Sequence, residues 1–382
     1  MRAYYLSAGN FPSIAANTIQ IAKMCCAFSR WLPEMRMVAL TGTEALFEGA
    51  PPDLQALYGL SRPLEVDYLP LLPGRGHGLF EHDYRPPAWF YHLAAQYASW
   101  QGAELVVTRR PETALTAIAL GIDTIFESHA PWSYFPHVHP HTARFASPHL
   151  KAVVVVADSL ARDHMAAGLP GDRIVVEQDG VDLGQYPEGA DRQALRASLG
   201  WDDRFTVVYT GHLLAERGME TAFAAARLVP EARFVFAGGW PEDVARCRES
   251  ARGIDNAEFT GFLDHPRVAA HQMAADALLM QYSLDAHHAD RCSPLKLFEY
   301  MGAARPIVAT DMPCLRFLMR HGENCLLAPS GDAEALASAV RALMADREMG
   351  ERLARTARAE VAHYDWELRA GRILDLALKE ER

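Results

Sequence analysis

The stretch SPLKLFEY, residues 293–300, gathers side chains that can do chemistry at one helix start. Ser293 is a favoured N-cap residue and Pro294 a favoured first helical residue. A capping box would place a carboxylate or amide three residues after the cap, and Lys296 stands there instead. A cation in the first turn opposes the helix dipole, at a cost of about 0.3–1 kcal/mol. An anion bound to the free N–H groups of that turn reverses the sign, so a phosphate gives Lys296 a partner. Glu299, one turn on, accepts hydrogen bonds only and suits ribose or sugar hydroxyls. An exposed Lys296–Glu299 pair at i,i+3, worth a few tenths of a kcal/mol, fits the same letters. Upstream, VVYTGHLLAERG runs a buried strand into Gly211, then His212 and Arg217. A glycine there lets backbone approach a ligand, and a guanidinium fork suits phosphate oxygens. A plain strand–turn–helix with a surface arginine is the alternative. The pattern is not GxGxxG, which gives no support to a nicotinamide dehydrogenase.

The elements that must hold these residues follow from alternation along the chain. RAYYLSAG, MRMVALTG, AELVVTRR, DTIFESH and LKAVVVVAD are short apolar runs ending in polar residues or glycine, with amphipathic segments such as AANTIQIAKMCCAFSRWL between them. After the polar stretch RIVVEQDGVDLGQYP a second set begins: DRFTVVYTGH, ARFVFAGGW, AEFTGFL, DALLMQYS, RPIVATD and NCLLAPS. Strands alternating with helices predict parallel α/β layers, and two successive sets predict two Rossmann-like domains, whose ligands bind beyond the carboxyl ends of the strands.

The bulk numbers exclude several classes. The 382 residues carry a net charge of −11, against nucleic acid as the main partner. Six scattered cysteines with no CxxC fit a reducing compartment and give no zinc or disulfide framework. The amino terminus has no apolar signal core, and the longest aliphatic run is too short to span a bilayer. The expectation is a cytoplasmic protein with at most peripheral contact at the inner face of a membrane. His137, His139 and His141 recur at period two, but Pro136 and Pro140 make the segment a loop, and no metal site is expected. His287 and His288 fall in the loop before the Lys296 helix and either line the pocket of the ligand bound there or form a polar loop. The Gly-, Pro- and aromatic-rich residues 71–92 either stack on a ligand or pack on their own aromatics.

SPLKLFEYMGAARPIVATD followed by GENCLLAPSGDAEALASAV, with YTGHLLAERGMETAFAAARLVPEARFVFAGG before it, resembles the donor-binding half of retaining, family 4-like glycosyltransferases (glycosyl transferases group 1) with the GT-B fold. VVVADSLARDHMAAGLPGDRIVVEQDGVDLGQYP is similar to their inter-domain segment and YDWELRAGRIL to their closing helix; in the more variable N-terminal half, PSIAANTIQIAKMC and FESHAP are similar to the first loop-and-helix and to a cleft histidine. The resemblance implies an α/β protein of two Rossmann-like domains facing each other across a cleft. It implies an acceptor-side domain over 1–183, a nucleotide-sugar donor domain over 184–362, and a C-terminal helix, 363–382, packing back on the first. It places Glu299 on the nucleotide ribose; Ser293, Pro294, Leu295 and Lys296 at the diphosphate and sugar; Arg217 on the diphosphate; His129 near the transferred sugar; and Gly9 and Asn10 in the first loop. Gly211 and His212 complete the expected donor site. The first glutamate of the family's pair is replaced by Arg291, with Asp290 beside it, and His212 stands where the family carries arginine.

The implied activity is transfer of a sugar from a UDP- or GDP-sugar to an acceptor hydroxyl with retention, in polysaccharide, glycolipid or other glycoconjugate synthesis. The resemblance implies a hexosyltransferase that requires no metal or other cofactor. The acceptor is a glycan, a lipid-linked sugar or a small molecule. His129, Arg217, Lys296 and Glu299 are the residues expected to act on the donor, chiefly by stabilising charge that grows on the leaving diphosphate. A GT-B nucleotide-sugar epimerase and a non-catalytic nucleotide- or glycan-binding relative are the rival readings.

Overall fold

The computed structural model describes residues 1–41, 53–70, 88–284, 291 and 293–378. The chain divides into two compact units, Met1–Asp179 with Trp366–Arg382, and Gly180–Asp365. Each is built on a parallel sheet.

In the first unit the strands are β1 (Arg2–Asn10), β2 (Glu34–Thr41), β3 (Val66–Pro70), β4 (Leu105–Thr108), β5 (Asp123–Ser128), β6 (Leu150–Val155) and β7 (Ile174–Val176), in the order β3-β2-β1-β4-β5-β6-β7. The second unit has β8 (Thr206–Thr210), β9 (Arg233–Ala237), β10 (Ala257–Gly261), β11 (Ala277–Met280), β12 (Ile307–Thr310) and β13 (Leu326–Ala328), in the order β10-β9-β8-β11-β12-β13. Both orders are of the doubly wound type. In the first unit the strand order reverses between β1 and β4, and in the second between β8 and β11, so each sheet has its ligand-binding seam there.

Central strands are apolar on both faces because helices cover both. Along β8, Val207 and Tyr209 enter one core cluster and Val208 the other. In the first unit, helix Ala16–Phe28 and helix Trp366–Ala377 pack together. Trp31 Nε1 donates to Glu367 O at 3.0 Å, and Arg62 binds Glu367 at 2.8 Å, which fixes the far end of that contact.

Two expectations need correction. Gly9 and Asn10, expected in a loop, are the last two residues of β1; the strand continues through a register irregularity between Leu6 and Asn10. The Lys296 helix spans Leu295–Gly302, so Pro294 is the cap residue and Ser293 precedes it, with no side-chain cap. The ring of Pro294 presets the entry without a donor, and Pro294 has no side-chain group to cap the N–H groups of the first turn. Asp290, His287, His288 and residues 71–87 lie outside the described residues. Among the described residues no helix is long and apolar enough to cross a membrane. The histidine-rich segment leads into a 3-10 stretch, His139–Ala146; His139 stacks on Trp132, and His137, ahead of the stretch, binds Glu112 at 2.6 Å.

Candidate functional site

In the second unit the site residues converge on the seam between β8 and β11. Tyr300 anchors their helix there: its hydroxyl accepts from Thr210 N–H of β8 at 2.8 Å and donates to Leu279 O of β11 at 3.2 Å. Beyond the strand end the backbone turns at Gly211, φ 122°, with Gly238, φ 110°, packed against it. A Cβ on Gly238 would stand 2.7 Å from Gly211 O, so both positions must be bare.

Into the space beside Gly211 comes Lys296. Its Nζ lies 3.9 Å from the Tyr209 ring centroid and 5.4 Å from that of Tyr282. Arg217, in the turn Ala215–Arg217, lies over the other aromatic, 4.5 Å from the Tyr282 centroid. Two cations thus share one ring. Among the described residues Lys296 Nζ has only these aromatic faces as partners. Burial, and then the Arg217 guanidinium, hold its amine well below the ordinary lysine range, with Glu299 acting weakly in the other direction. The side chain is half-buried, so the exposed-pair reading of Lys296 and Glu299 does not describe it.

Glu299 is held separately. Its Oε1 lies 3.2 Å from His265 Nε2, and its Oε2 accepts from Gln272 Nε2 at 3.3 Å. Gln272 is itself fixed by the Tyr186 hydroxyl, which donates to its Oε1 at 2.6 Å, and by Thr210 Oγ1 at 2.9 Å. The carboxylate therefore has a set orientation and remains 12% exposed, and as a carboxylate it accepts from hydroxyl donors. The His212 ring stacks on Trp240 at 5.2 Å and 8°. Ser293 and Arg291 are both half-buried beside the helix start.

The first unit carries a different cluster at the carboxyl end of β5. His129, 16% exposed, places Nε2 2.9 Å from Glu127 Oε1 and Nδ1 4.0 Å from Asp179 Oδ2. Glu127 is 1% exposed and surrounded by donors: Gln20 Nε2 at 2.8 Å, Tyr5 OH at 3.2 Å and Arg369 Nη2 at 2.8 Å. Burial pushes this carboxyl up, but Arg369 and His129 outweigh it and keep it a carboxylate well below the usual range. Burial and then Arg109 push the His129 imidazole down, against Asp179 and Glu127, so it is neutral near pH 7. Burial raises Asp179. Glu127, His129 and Asp179 bring one ligand atom each within 4.8 Å, a spacing a cation could share. Arg369 already supplies the positive charge at Glu127, and a second cation there would face it.

Glu127, Arg369, His265 and Gln272 were not singled out from sequence. Glu127 left one trace: a carboxylate inside the buried run DTIFESH needs a partner. Arg369 lies 242 residues away, and no spacing connects the two.

Residues 204–346 match the family described as Glycosyl transferases group 1. An alpha-D-kanosaminyltransferase of Streptomyces kanamyceticus is 29% identical over 261 residues, 62% of this chain and 65% of that protein. A phosphatidyl-myo-inositol mannosyltransferase of Mycobacterium leprae is 30% identical over 141 residues, 35% of this chain and 34% of that one. The matches thus span less than two thirds of these relatives' own length. Among solved structures, Anabaena HepE in complex with UDP and glucose superposes with TM-score 0.73 at 17% identity, covering all of both chains. Sucrose-phosphate synthase of Thermosynechococcus elongatus gives 0.70 at 20%, covering 98% of each. At those identities the likeness speaks for the fold alone. Residues 204–346 thus carry a domain similar to the glycosyl transferases group 1 family, and the two parallel sheets follow the GT-B fold of these solved structures.

Proposed function

We propose that the chain transfers a sugar from a nucleotide-diphosphate donor to an acceptor hydroxyl, with retention and without a required metal, in the assembly of a glycoconjugate. The observation that carries this is the pair of cations at the β8–β11 seam: Lys296 and Arg217 share the face of Tyr282, and Lys296 has only aromatic partners among the described residues. A diphosphate supplies the missing charge. The second unit is the donor side on this reading, and the first, with His129, the acceptor side. HepE was solved with UDP and UDP-glucose, which makes a uridine nucleotide the first donor to try, ahead of a guanosine one.

Lys296, Arg217 and the amino-terminal end of the Leu295–Gly302 helix would stabilise the charge that grows on the diphosphate as the glycosidic bond breaks. Glu299 would accept from the ribose hydroxyls, its carboxylate held in register by His265 and Gln272. His129 would accept a hydrogen bond from the sugar. No side chain is assigned as base to the acceptor hydroxyl: in front-face transfer the departing phosphate takes that proton. The test is a panel of nucleotide sugars read by thermal shift and by sugar transfer, with Glu299→Gln beside wild type. Glu299→Gln should fold normally and lose roughly tenfold in nucleotide affinity, the value of a charge-assisted hydrogen bond of about 1.5 kcal/mol. Equal dissociation constants for the two proteins would refute the ribose assignment, and silence across the whole panel would refute the donor class.

A further inference from the structure

A buried ion pair is costly to assemble, and Glu127–Arg369 sits directly behind His129. Arg369 is fully buried, and its other donors are also spoken for: Nε donates to Gln178 O at 2.7 Å and Nη2 to Glu177 O at 3.0 Å. Its helix is tied again by Arg372, bidentate on Glu177 at 2.7 and 2.8 Å. Glu127 thus cannot turn away from the position it holds. As a carboxylate it only accepts, so an imidazole nitrogen at 2.9 Å from it must carry the hydrogen. The ring is neutral, so the other nitrogen, Nδ1, is a bare lone pair. Asp179 Oδ2 at 4.0 Å is too far to hydrogen-bond it. The next residue, Ser128, is clamped on the opposite face of the strand by His164 Nε2 at 2.9 Å, which fixes the backbone from which His129 projects.

We propose that Glu127, held by Arg369 from the C-terminal helix, is a positioning residue that sets His129 as its Nε2–H tautomer and leaves Nδ1 to accept from a sugar hydroxyl. The hydroxyl rests on the function proposed above; the tautomer does not. The arrangement also selects ligand chemistry. A lone pair accepts from O–H or N–H and gives nothing to a phosphate oxygen, so His129 discriminates a sugar from a phosphate at the same place. The groups facing the pair are Tyr5 from β1, Gln20 from helix Ala16–Phe28, Arg109 beyond β4 and Asp179, and Arg109 is itself bonded to Gln20 at 3.1 Å. Reversing the tautomer would take an acceptor for Nδ1–H, and Asp179 Oδ2, at 4.0 Å, stands beyond hydrogen-bonding distance.

The experiment is nitrogen NMR of the full chain with labelled histidine, the His129 signal being assigned by its loss in His129→Gln. Near neutral pH wild type should show a protonated Nε2 and an unprotonated Nδ1; the reverse overturns the proposal. Glu127→Gln, which keeps an acceptor oxygen, should keep the tautomer, whereas a folded Glu127→Met should show a mixture. Retention of pure Nε2–H in Glu127→Met would remove Glu127 from the role; if that variant does not fold, the wild-type and Glu127→Gln spectra still decide. With a nucleotide sugar that turns over, kcat should fall roughly tenfold in Glu127→Met, and adding it to His129→Gln should cost nothing further, since the two act as one unit. Additive losses would count against the coupling. If no nucleotide sugar turns over, the spectra stand alone and the fault lies with the proposed function.

Discussion

The two units place charge at their seams in opposite ways. In the first, Glu127 accepts from Gln20, Tyr5, His129 and Arg369, and this carboxylate is fully paired without any ligand. In the second, Lys296 and Arg217 meet over aromatic rings, and Lys296 is left with no counter-charge in hydrogen-bonding contact among the described residues. A completed cluster resists change and can hold another group in place. An incomplete one is strained until something of the right charge arrives. The contrast separates a part of the molecule that orients from a part that recognises.

The largest effect should come from breaking the completed cluster. Arg369→Met leaves Glu127 buried without its cation and should destabilise the first unit by about 3–5 kcal/mol, read by urea denaturation. Lys296→Met, which also removes a half-buried cation, should do the reverse and leave the ligand-free protein as stable or slightly more so. Equal losses in the two variants would erase the distinction drawn here.

A middle-sized effect tests the incomplete cluster directly. With a nucleoside diphosphate bound, Lys296→Met should forfeit a charge-assisted contact worth about 1.5–3 kcal/mol, roughly ten- to a hundredfold in affinity, and with the bare nucleoside nothing. The pH dependence has a definite sign. The folded-state value of Lys296 lies below its unfolded value. Below the folded value both states are protonated and the full penalty applies. As pH rises from there toward the ordinary lysine value the unfolded chain holds the extra proton, so wild type gains stability relative to Lys296→Met. A flat difference across that window would mean that the lysine is not desolvated. Above the folded value, diphosphate binding should take up a proton, measurable by calorimetry in buffers of different ionisation enthalpy.

The smallest effect concerns the helix that bears Lys296 and Glu299. It ends at Ala304 with φ 52°, a left-handed conformation that costs a non-glycine residue about 1–2 kcal/mol. Ala304→Gly should stabilise the second unit by up to about 1 kcal/mol, after glycine's own entropy, while nucleotide affinity stays unchanged. A loss of affinity would tie recognition to the far end of the helix as well.

Legibility followed burial. β8, β9, β11 and β12 are buried along their length, and their apolar runs stand out in the sequence. β3 and β7 do not, whereas the edge strands β10 and β13 were still read from AEFTGFL and NCLLAPS. VDYLP carries an aspartate and a proline, and the three residues of β7 are all half-exposed, so neither reads as a core strand. The Lys296 helix was legible from its cap-like start, though its first residue was misplaced by one, since proline serves equally on either side of that boundary. Lys296 and Arg217 could be paired on paper because both precede recognisable elements. The aromatic floor beneath them could not: Tyr209 reads simply as a strand residue, and Tyr282 as the tail of the run DALLMQYS. Glu127 and Arg369 meet only because helix Trp366–Ala377 packs into the unit that begins the chain. That pairing belongs to topology, and periodicity carries no trace of it.

The same helix imposes an order in time. During synthesis Glu127 leaves the ribosome 242 residues ahead of Arg369, which at about 5–20 residues per second is roughly 10–50 s. Throughout that interval the first sheet can form, but its central carboxylate has no guanidinium to meet. A nascent chain in that condition has reason to keep the carboxyl protonated or the surrounding helices loose. The amino-terminal unit is thus the first to be made and the last to be finished, and a ribosome stalled before the closing helix would hold a half-settled fold whose defect lies at the residue behind His129.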